Sequence, residues 1–448
     1  MSFQYEVIVV GSGSAGQEAC LMAAKAGLRT LLIEERTLGS NCFHGGSYAV
    51  RGLRACANYF KRMDRASKFG TSLDLIKTSW TSWLRAQRQS SGQLSTDFLA
   101  AIDRAQVHLK FGRARLLGPN EISVIDPPRG LDLRITSKFI ILATGSRPSF
   151  SSQPECGLLN SDYLLWQTVA VRHLLVIGGG HIGCELAGIY RDLGSEVTIA
   201  EAQPRLLPGW DPTAGQRLRS LLSEAGVEVL VNESIEIPKV VPGNLPTFKL
   251  TTRATIQPDI TLVATGRKPN SDELGLECLG LTGGVWIPVN ERMQTPAEPV
   301  YAIGDVNGIS LLDSVASSQA NIAVQNILGK TARFDKRGFS RFLHTEPPVA
   351  SVGWTEEEVR AAGLPVETIC WSGSLLTDDE VSIVEREFMT IKCLVHAESE
   401  CFLGCLAIGS HAAEIINLVS TAMSTGQSAR AIGNISAVHP SATEALVR

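Results

Sequence analysis

The segment that decides the fold is Glu6-Val-Ile-Val-Val-Gly11-Ser-Gly13-Ser-Ala-Gly16. It joins a run of Val and Ile, typical of a buried parallel strand, to a glycine triad, a helix-like segment and a second strand ending at Glu34. In this order Gly11 permits a tight turn, Gly13 lets a pyrophosphate approach the backbone, and Gly16 lets helix and strand pack closely. Phosphates would lie at the helix N-terminus, and Glu34 could accept a hydrogen bond from a ribose hydroxyl. The segment therefore predicts a dinucleotide-binding unit rather than an ordinary glycine-rich turn.

A second copy of this pattern begins after an apolar strand, with Gly178-Gly-Gly180-His-Ile-Gly183, a helix, another strand and the acid Glu201. Two such units in one chain predict two bound dinucleotides, for which FAD plus a nicotinamide nucleotide is the economical interpretation. Glu201 favours NAD(H), because a carboxylate there would repel the 2′-phosphate of NADP. Arg205, four residues further on, keeps NADP as the less favoured alternative.

Three further strand ends fit the same architecture. Two apolar runs end in Ala-Thr144-Gly145 and Ala-Thr265-Gly266-Arg267, and a third ends in Gly304-Asp305. The Asp305 carboxylate could hold the sugar-alcohol chain of a flavin; its structural alternative is a helix N-cap. This order suggests that the flavin unit is interrupted by the nicotinamide unit and resumes near residue 270. The predicted division is a first flavin segment, the nicotinamide unit, a second flavin segment and an α+β interface region, at 1–150, 151–269, 270–338 and 339–448.

Composition limits the possible partners. At 448 residues the chain is long enough for three or four compact units, and its net charge of -4 gives no reason to expect nucleic acid or an acidic membrane surface. The N-terminus lacks the basic region of a signal peptide, and no apolar run approaches the length of a membrane span. Ten cysteines are scattered without metal-ligand or disulfide-framework spacing, so a reducing cytoplasm is the expected location.

Two segments carry groups capable of thiol chemistry. The first is Leu38-Gly-Ser-Asn-Cys42-Phe-His44-Gly-Gly-Ser47-Tyr-Ala-Val-Arg51, and the second is His439-Pro-Ser-Ala-Thr-Glu444. Each has a structural alternative: Cys42 could pack without a redox role, and the His-Glu pair could belong to the start of a helix. His44 is close to Cys42 in sequence, but this proximity does not define its orientation.

Together these segments resemble the FAD-dependent pyridine nucleotide-disulfide oxidoreductases, most closely their dihydrolipoamide dehydrogenase branch, over nearly the whole chain. The resemblance implies an α/β fold with two Rossmann-like dinucleotide-binding domains, for FAD and NAD, and a C-terminal α+β dimerisation domain. It also implies a homodimer whose active site is shared between chains. The residues that carry it are Gly11, Gly13, Gly16, Glu34, Cys42, Thr144, Gly145, Gly178, Gly180, Gly183, Glu185, Thr265, Gly266, Arg267, Gly304, Asp305, His439 and Glu444.

The resemblance also assigns roles around Cys42. The family usually has Gly-Gly-x-Cys-x-x-x-x-Cys-x-x-x-Lys here; this chain keeps Cys42 but has Ser47 and Arg51 at the second cysteine and the lysine. Cys42 would be the thiol that exchanges with substrate, with His439 of the partner chain as its base and Glu444 as the orienting carboxylate.

Ser47 would face the flavin, and Arg51 would lie near the flavin, where it could pair with Glu185. A serine hydroxyl is not a thiolate near neutral pH and cannot form a disulfide, so the relay between the flavin and an external disulfide lacks one sulfur. Cys42 alone could still form a mixed disulfide or a sulfenic acid.

Several functions are compatible with this pattern. The first is NAD(H)-dependent oxidation or reduction of a small-molecule or carrier-bound thiol or disulfide, with chemistry at Cys42. The second is a disulfide-independent reductase that passes electrons from NADH to a quinone, a dye or oxygen. The third is a soluble pyridine nucleotide transhydrogenase, against which His439 counts. A flavin-binding redox sensor with slow turnover is the alternative outside enzymes.

Overall fold

The computed structural model describes residues 3–67, 80–126, 130–167, 171–251, 255–335, 337–374, 388–439 and 441–447. The chain begins with the predicted strand, loop, helix and strand, and three helices follow, of which the first two carry the Cys42 segment. These elements are β1 (Tyr5–Val10), α1 (Ser14–Lys25), β2 (Thr30–Glu34), α2 (Ser40–His44), α3 (Ser47–Ser67) and α4 (Trp80–Arg104).

Four of the next five strands complete most of the first sheet, and the last of the five lies outside it. They are β3 (His108–Phe111), β4 (Arg113–Gly118), β5 (Glu121–Asp126), β6 (Leu131–Leu142) and β7 (Ser146–Pro148). The sheet order is β3-β2-β1-β6-β5-β4. The long β6 serves two partners: its second half pairs in parallel with β1, and its first half pairs antiparallel with β5. The inner part of β1 and all of β2 are buried, as expected for central parallel strands, whereas the edge strand β3 is partly exposed.

The second glycine loop belongs to a separate α/β unit with its own parallel sheet. Its elements are β8 (Leu158–Leu159), α5 (Ser161–Leu164), β9 (His173–Ile177), α6 (His181–Asp192), β10 (Glu196–Glu201), α7 (Pro212–Glu224), β11 (Glu228–Val231), β12 (Ile260–Val263) and β13 (Arg267–Pro269). The strand order is β11-β10-β9-β12-β8. β13 pairs antiparallel with β7, which links the ends of the two sheets.

The chain then returns to the first sheet. β14 (Val300–Ala302) pairs in parallel with β6, and α8 (Asp313–Ile327) packs against α1. Because the carboxyl ends of parallel strands meet at one edge of a sheet, this return places the start of α8 beside the first glycine loop.

The last region is an antiparallel sheet with helices. Its elements are β15 (Ser340–Leu343), β16 (Val349–Gly353), α9 (Glu356–Ala361), β17 (Val366–Ser374), β18 (Phe388–His396), β19 (Phe402–Ile408), α10 (Ala412–Thr425), α11 (Ala429–Gly433) and α12 (Glu444–Val447). The strand order is β15-β16-β19-β18-β17, and α10 packs on β16 and β19. Among the residues that the structure describes, no helix combines the length and apolar character needed to cross a membrane.

A buried ion cluster fastens this last region to the second sheet. Lys392 on β18 donates to both carboxylate oxygens of Asp211, the N-cap of α7, at 3.0 Å each. It also donates to Glu356 on α9 at 2.5 Å. Because buried charges are stable only when paired, the cluster fixes how these two units are oriented.

Candidate functional site

The first glycine loop presents an open cradle at the N-terminus of α1. A Cβ on Gly11 would lie 2.4 Å from the Ala143 carbonyl oxygen, and a Cβ on Gly16 would lie 1.9 Å from that of Gly11. Gly13 instead has no heavy atom within 4 Å of such a Cβ, and α1 begins without a side-chain cap. The outer two glycines are thus required by packing, and the middle one faces space beside uncapped helix amides. This arrangement fits a pyrophosphate.

Glu34 is held at the mouth of this cradle. One of its carboxylate oxygens accepts from the Ser12 backbone N–H at 2.9 Å and from the Ser12 hydroxyl at 2.6 Å. The other oxygen accepts from the Arg36 backbone N–H at 2.9 Å. The side chain is 5% exposed, so these bonds fix a negative charge beside the loop. That position suits a ribose hydroxyl donor.

The second glycine loop repeats this geometry. A Cβ on Gly178 would lie 2.6 Å from the Ala264 carbonyl oxygen, and a Cβ on Gly183 would lie 2.0 Å from that of Gly178. Gly180, the N-cap of α6, again faces open space and has no side-chain cap. The second loop therefore fits a second pyrophosphate.

The acid of the second unit is oriented like that of the first. Glu201 accepts from the backbone N–H groups of Gly179 at 2.6 Å and Gln203 at 2.7 Å. Arg205, which could have bound a 2′-phosphate, is instead paired through two nitrogens with Glu357, at 2.9 and 2.7 Å. The carboxylate is thus the charged group held against this loop, and the guanidinium is bound to the interface region.

The two Ala-Thr-Gly strand ends meet where the sheets join. Thr144 donates through its hydroxyl to the Asn270 carbonyl at 2.7 Å, and the Asn270 N–H donates to the Gly145 carbonyl at 2.9 Å. Gly145 and Gly266 both have positive φ, +70° and +129°, which favours glycine at each turn. The structure therefore brings these sequence-predicted residues together at the junction of β7 and β13.

Asp305 lies at the same junction, just after Gly304, and is partly buried. Ser146 donates to its carboxylate at 2.6 Å, and Arg267 donates through Nε to the Ser146 hydroxyl at 2.7 Å. Burial raises the pKa of Asp305, and the Ser146 bond and the Arg267 charge oppose that rise. The side chain does not cap a helix through a hydrogen bond, which removes the structural alternative considered for it.

Cys42 lies on α2 in a hydroxyl and carboxylate cluster that the sequence did not predict. Its sulfur is 3.0 Å from the Ser14 hydroxyl at the start of α1, and that hydroxyl is 2.9 Å from an oxygen of Asp313 at the start of α8. The other oxygen of Asp313 accepts from the Ser47 hydroxyl. Burial and then the charge of Asp313 raise the pKa of the Cys42 thiol to about 12, against the lowering effects of Ser14 and Arg51.

The predicted Arg51–Glu185 pair is wrong. Arg51 is exposed, and its guanidinium lies 4.6 Å from the centre of the Tyr48 ring. Glu185 is buried, where it lies 3.3 Å from Nε2 of His181 and accepts from the His344 backbone N–H at 2.6 Å. His181 and Glu185 are one helical turn apart on α6, so their side chains lie side by side and the imidazole is the partner of the carboxylate.

Opposing effects set the charge of this imidazole–carboxylate pair. Burial alone would lower the pKa of His181, but the neighbouring Glu185 carboxylate outweighs it and raises that pKa. Burial would raise the pKa of Glu185, but the His181 charge and hydrogen bond lower it. Each partner therefore favours the charged form of the other beside the second glycine loop.

The C-terminal His-Glu pair forms within one chain. Nδ1 of His439 lies 2.9 Å from a carboxylate oxygen of Glu444, which also accepts from the Ser441 N–H at 3.1 Å. The His439 side chain is 72% exposed. His44 is not a thiol partner, because its Nε2 lies 3.3 Å from the Leu38 carbonyl and 3.1 Å from the Ser95 hydroxyl.

Sequence reasoning missed four residues of these clusters. Ser14 occupies a variable position of the first glycine loop, and His181 occupies one of the second. Their place immediately after an uncapped glycine was the signal that they border each cradle. Asp313 and His344 carried no comparable local signal, because each is brought in by a distant element.

Comparison with known proteins extends over the whole chain. The dihydrolipoyl dehydrogenase of Thermus scotoductus is 33% identical, with 99% of this chain and 96% of that protein covered. The glutathione reductase of Burkholderia cepacia is 28% identical, with coverage of 99% and 98%.

Solved structures support the same fold. LpdA from Mycobacterium tuberculosis superposes with a TM-score of 0.85 at 24% identity, covering 99% of both chains. The HOCl-induced flavoprotein disulfide reductase RclA from Escherichia coli gives a TM-score of 0.83 at 23% identity, covering 99% of this chain and 98% of that one. These identities are low, so the two structures establish the architecture alone.

Family models account for nearly all of the sequence. The model for pyridine nucleotide-disulphide oxidoreductases matches residues 5–326, and the model for the dimerisation domain of the same enzymes matches residues 339–448. The predicted fold class, with two dinucleotide-binding units and a C-terminal dimerisation domain, is confirmed, as are FAD and NAD(P)H as the cofactors of the family. This chain belongs to the pyridine nucleotide-disulphide oxidoreductase family.

Proposed function

We propose that this protein oxidises NADH and passes the electrons to an acceptor that is not a disulfide, such as a quinone or a dye. The observation that carries the proposal is the bond from the Ser47 hydroxyl to Asp313, at the position assigned to the second redox cysteine. All ten cysteines are free thiols, and the Cys42 sulfur has the Ser14 hydroxyl as its hydrogen-bond partner. Without a second sulfur, the site has no disulfide to relay electron pairs to outside thiols.

The chain's own residues would hold both cofactors. Bound FAD supplies hydride acceptance from NADH and electron transfer to a second acceptor. In the flavin unit, proposed as 1–150 with 270–338, the first cradle would bind the pyrophosphate, Glu34 a ribose hydroxyl and Asp305 the sugar-alcohol chain. In the nicotinamide unit, proposed as 151–269, the second cradle and Glu201 would bind the pyrophosphate and ribose of NADH.

A second candidate function is thiol–disulfide chemistry at Cys42 on a small-molecule or carrier-bound substrate. The contact of 2.9 Å between Nδ1 of His439 and Glu444 favours it, because it orients an exposed imidazole as a base needs. In a homodimer built on residues 339–448, this imidazole would serve the Cys42 of the other chain.

Activity with two acceptors separates these candidates. We expect Cys42→Ala and His439→Ala to change NADH:quinone turnover by no more than about twofold, since neither side chain is needed to pass electrons to a quinone. Anaerobic titration should consume about one equivalent of NADH per subunit, because an additional disulfide would accept a second electron pair. Comparable lipoamide and quinone turnover in the parent chain, with the lipoamide activity lost in both variants, would instead favour thiol chemistry.

Nucleotide preference tests the proposed role of Glu201. Glu201→Gln should raise the ratio of kcat/KM for NADPH to that for NADH by about tenfold, because it removes a negative charge that would repel the 2′-phosphate. A tenfold change in this ratio corresponds to about 1.4 kcal/mol. The amide oxygen can still accept from the Gly179 N–H. Glu196→Gln, at the exposed opposite end of β10, is the matched control. An unchanged ratio in Glu201→Gln would show that this carboxylate does not select the nucleotide.

A further inference from the structure

A single hydroxyl proton at Ser14 determines the hydrogen bonding of Cys42. The Ser14 oxygen lies 3.0 Å from the Cys42 sulfur and 2.9 Å from an Asp313 oxygen, but the hydroxyl has only one proton to donate. A carboxylate accepts only, and a hydrogen bond to a charged oxygen is stronger than one to sulfur. The Ser14 hydroxyl therefore donates its hydrogen bond to Asp313. The remaining contact is satisfied when the Cys42 S–H donates to the Ser14 oxygen.

The Asp313 carboxylate also accepts a hydrogen bond from the Ser47 hydroxyl. Both of its oxygens are thus occupied by hydroxyl donors, one from the start of α1 and one from the start of α3. Asp313 is the first residue of α8, where the helix N-terminus favours a negative charge. A thiolate at Cys42 would face this charge with no hydroxyl proton left to stabilise it.

Charged and titratable groups reach this cluster from three places: after β14, on α3 and after β15. Asp305, after β14, adds negative charge near Cys42, and Arg51 on α3 is the opposing positive charge. His344, after β15, lies within the fields of Asp313 and Arg51, and burial lowers its pKa, so its neutral form is favoured. Arg51, which is exposed, is therefore the cation that lowers the pKa of Cys42, and the partial burial of the thiol together with the charges of Asp313 and Asp305 outweighs it.

We propose that Asp313 is a positioning residue: its carboxylate binds the Ser14 and Ser47 hydroxyls and thereby keeps Cys42 a neutral thiol that donates to Ser14. This inference deepens the proposed function, because a thiol held neutral is a poor nucleophile for exchange with a substrate disulfide. It does not depend on which acceptor the enzyme uses. The protonation of Cys42 can be measured without turnover.

The test is the pH profile of alkylation of Cys42 in the FAD-loaded protein, measured by iodoacetamide labelling and peptide mass spectrometry. Asp313→Asn keeps the size of the side chain, removes its charge and can donate to the Ser14 oxygen, which frees the Ser14 proton for sulfur. The labelling rate at pH 8 should rise by about tenfold or more, with the midpoint of the profile moved to lower pH. A change in access alone would scale the rate at every pH and leave the midpoint in place.

Two controls accompany this experiment. Cys278 is exposed and should label at the same rate in all variants, which normalises the reagent. Asp103→Asn, a surface change near the end of α4, should leave the Cys42 profile unaltered. An unshifted midpoint in a folded Asp313→Asn protein, or rapid labelling of Cys42 at neutral pH in the parent chain, would overturn the proposal. Because the readout is thiol protonation, this failure is separable from an error in the proposed acceptor.

Discussion

The double variant Ser47→Cys/Asp313→Asn is expected to gain lipoamide-dependent turnover by about 100-fold or more, the size of effect that one acid–base or nucleophilic group contributes. Ser47→Cys restores the second sulfur. Asp313→Asn removes a charge that would raise the pKa of the new thiol, as burial and then this charge raise the pKa of Cys42. Ser47→Cys alone should gain much less, since the new thiol would face the same carboxylate.

The four members of this cycle, parent, both single variants and the double variant, should be assayed with lipoamide and with a quinone. The gain should be more than the product of the two single effects, because the substituted residues are in contact. The oxidised double variant should also lose two titratable thiols per subunit and show a long-wavelength thiolate-to-flavin band on reduction. A double variant that forms the disulfide but gains no lipoamide turnover would place the defect elsewhere, with His439 the next residue to examine.

The features of the molecule that follow from sequence are those set by local backbone geometry. A glycine triad between a strand and a helix determines its own turn within a few residues, so both cradles and both acids could be predicted. The environment of Cys42 could not, because Asp313 reaches Ser47 from 266 positions away, through the packing of α8 on α1. Asp313 is an exposed acid at a helix start, and nothing near it in the sequence indicates that its carboxylate accepts from Ser14 and Ser47.

The wrong prediction at Glu185 has a related cause. Pairing it with Arg51 followed from family position alone and took no account of the helix on which Glu185 lies. His181, one turn earlier, and the main chain of His344 both reach the buried carboxylate. The family resemblance therefore indicated the position of Glu185 correctly but not its partner. The partner depends on which neighbouring side chains this sequence supplies.

The substitution Gly13→Val is expected to leave a folded, colourless protein that binds FAD at least about 100-fold more weakly, a loss of about 2.7 kcal/mol. The backbone at Gly13 has φ of -66° and ψ of -177°, a conformation that valine adopts readily, and no protein atom lies within 4 Å of its Cβ. The added methyl groups should therefore collide with the cofactor pyrophosphate and not with the fold. Gly16→Ala is different, because its Cβ would meet the Gly11 carbonyl oxygen at 1.9 Å and disturb the loop itself.

Gly180→Val supplies the matched comparison in the second cradle. It should keep FAD and the yellow colour but weaken NADH binding, because Gly180 has the same open surroundings and an extended backbone, with φ of -77° and ψ of -170°. The measurements are flavin content after reconstitution, NADH affinity and the thermal midpoint of each apoprotein. Both valine variants should unfold within a few degrees of the apo parent. If Gly13→Val retained stoichiometric FAD, the first loop would not be the flavin cradle, and the order of the two nucleotide units along the chain would have to be reversed.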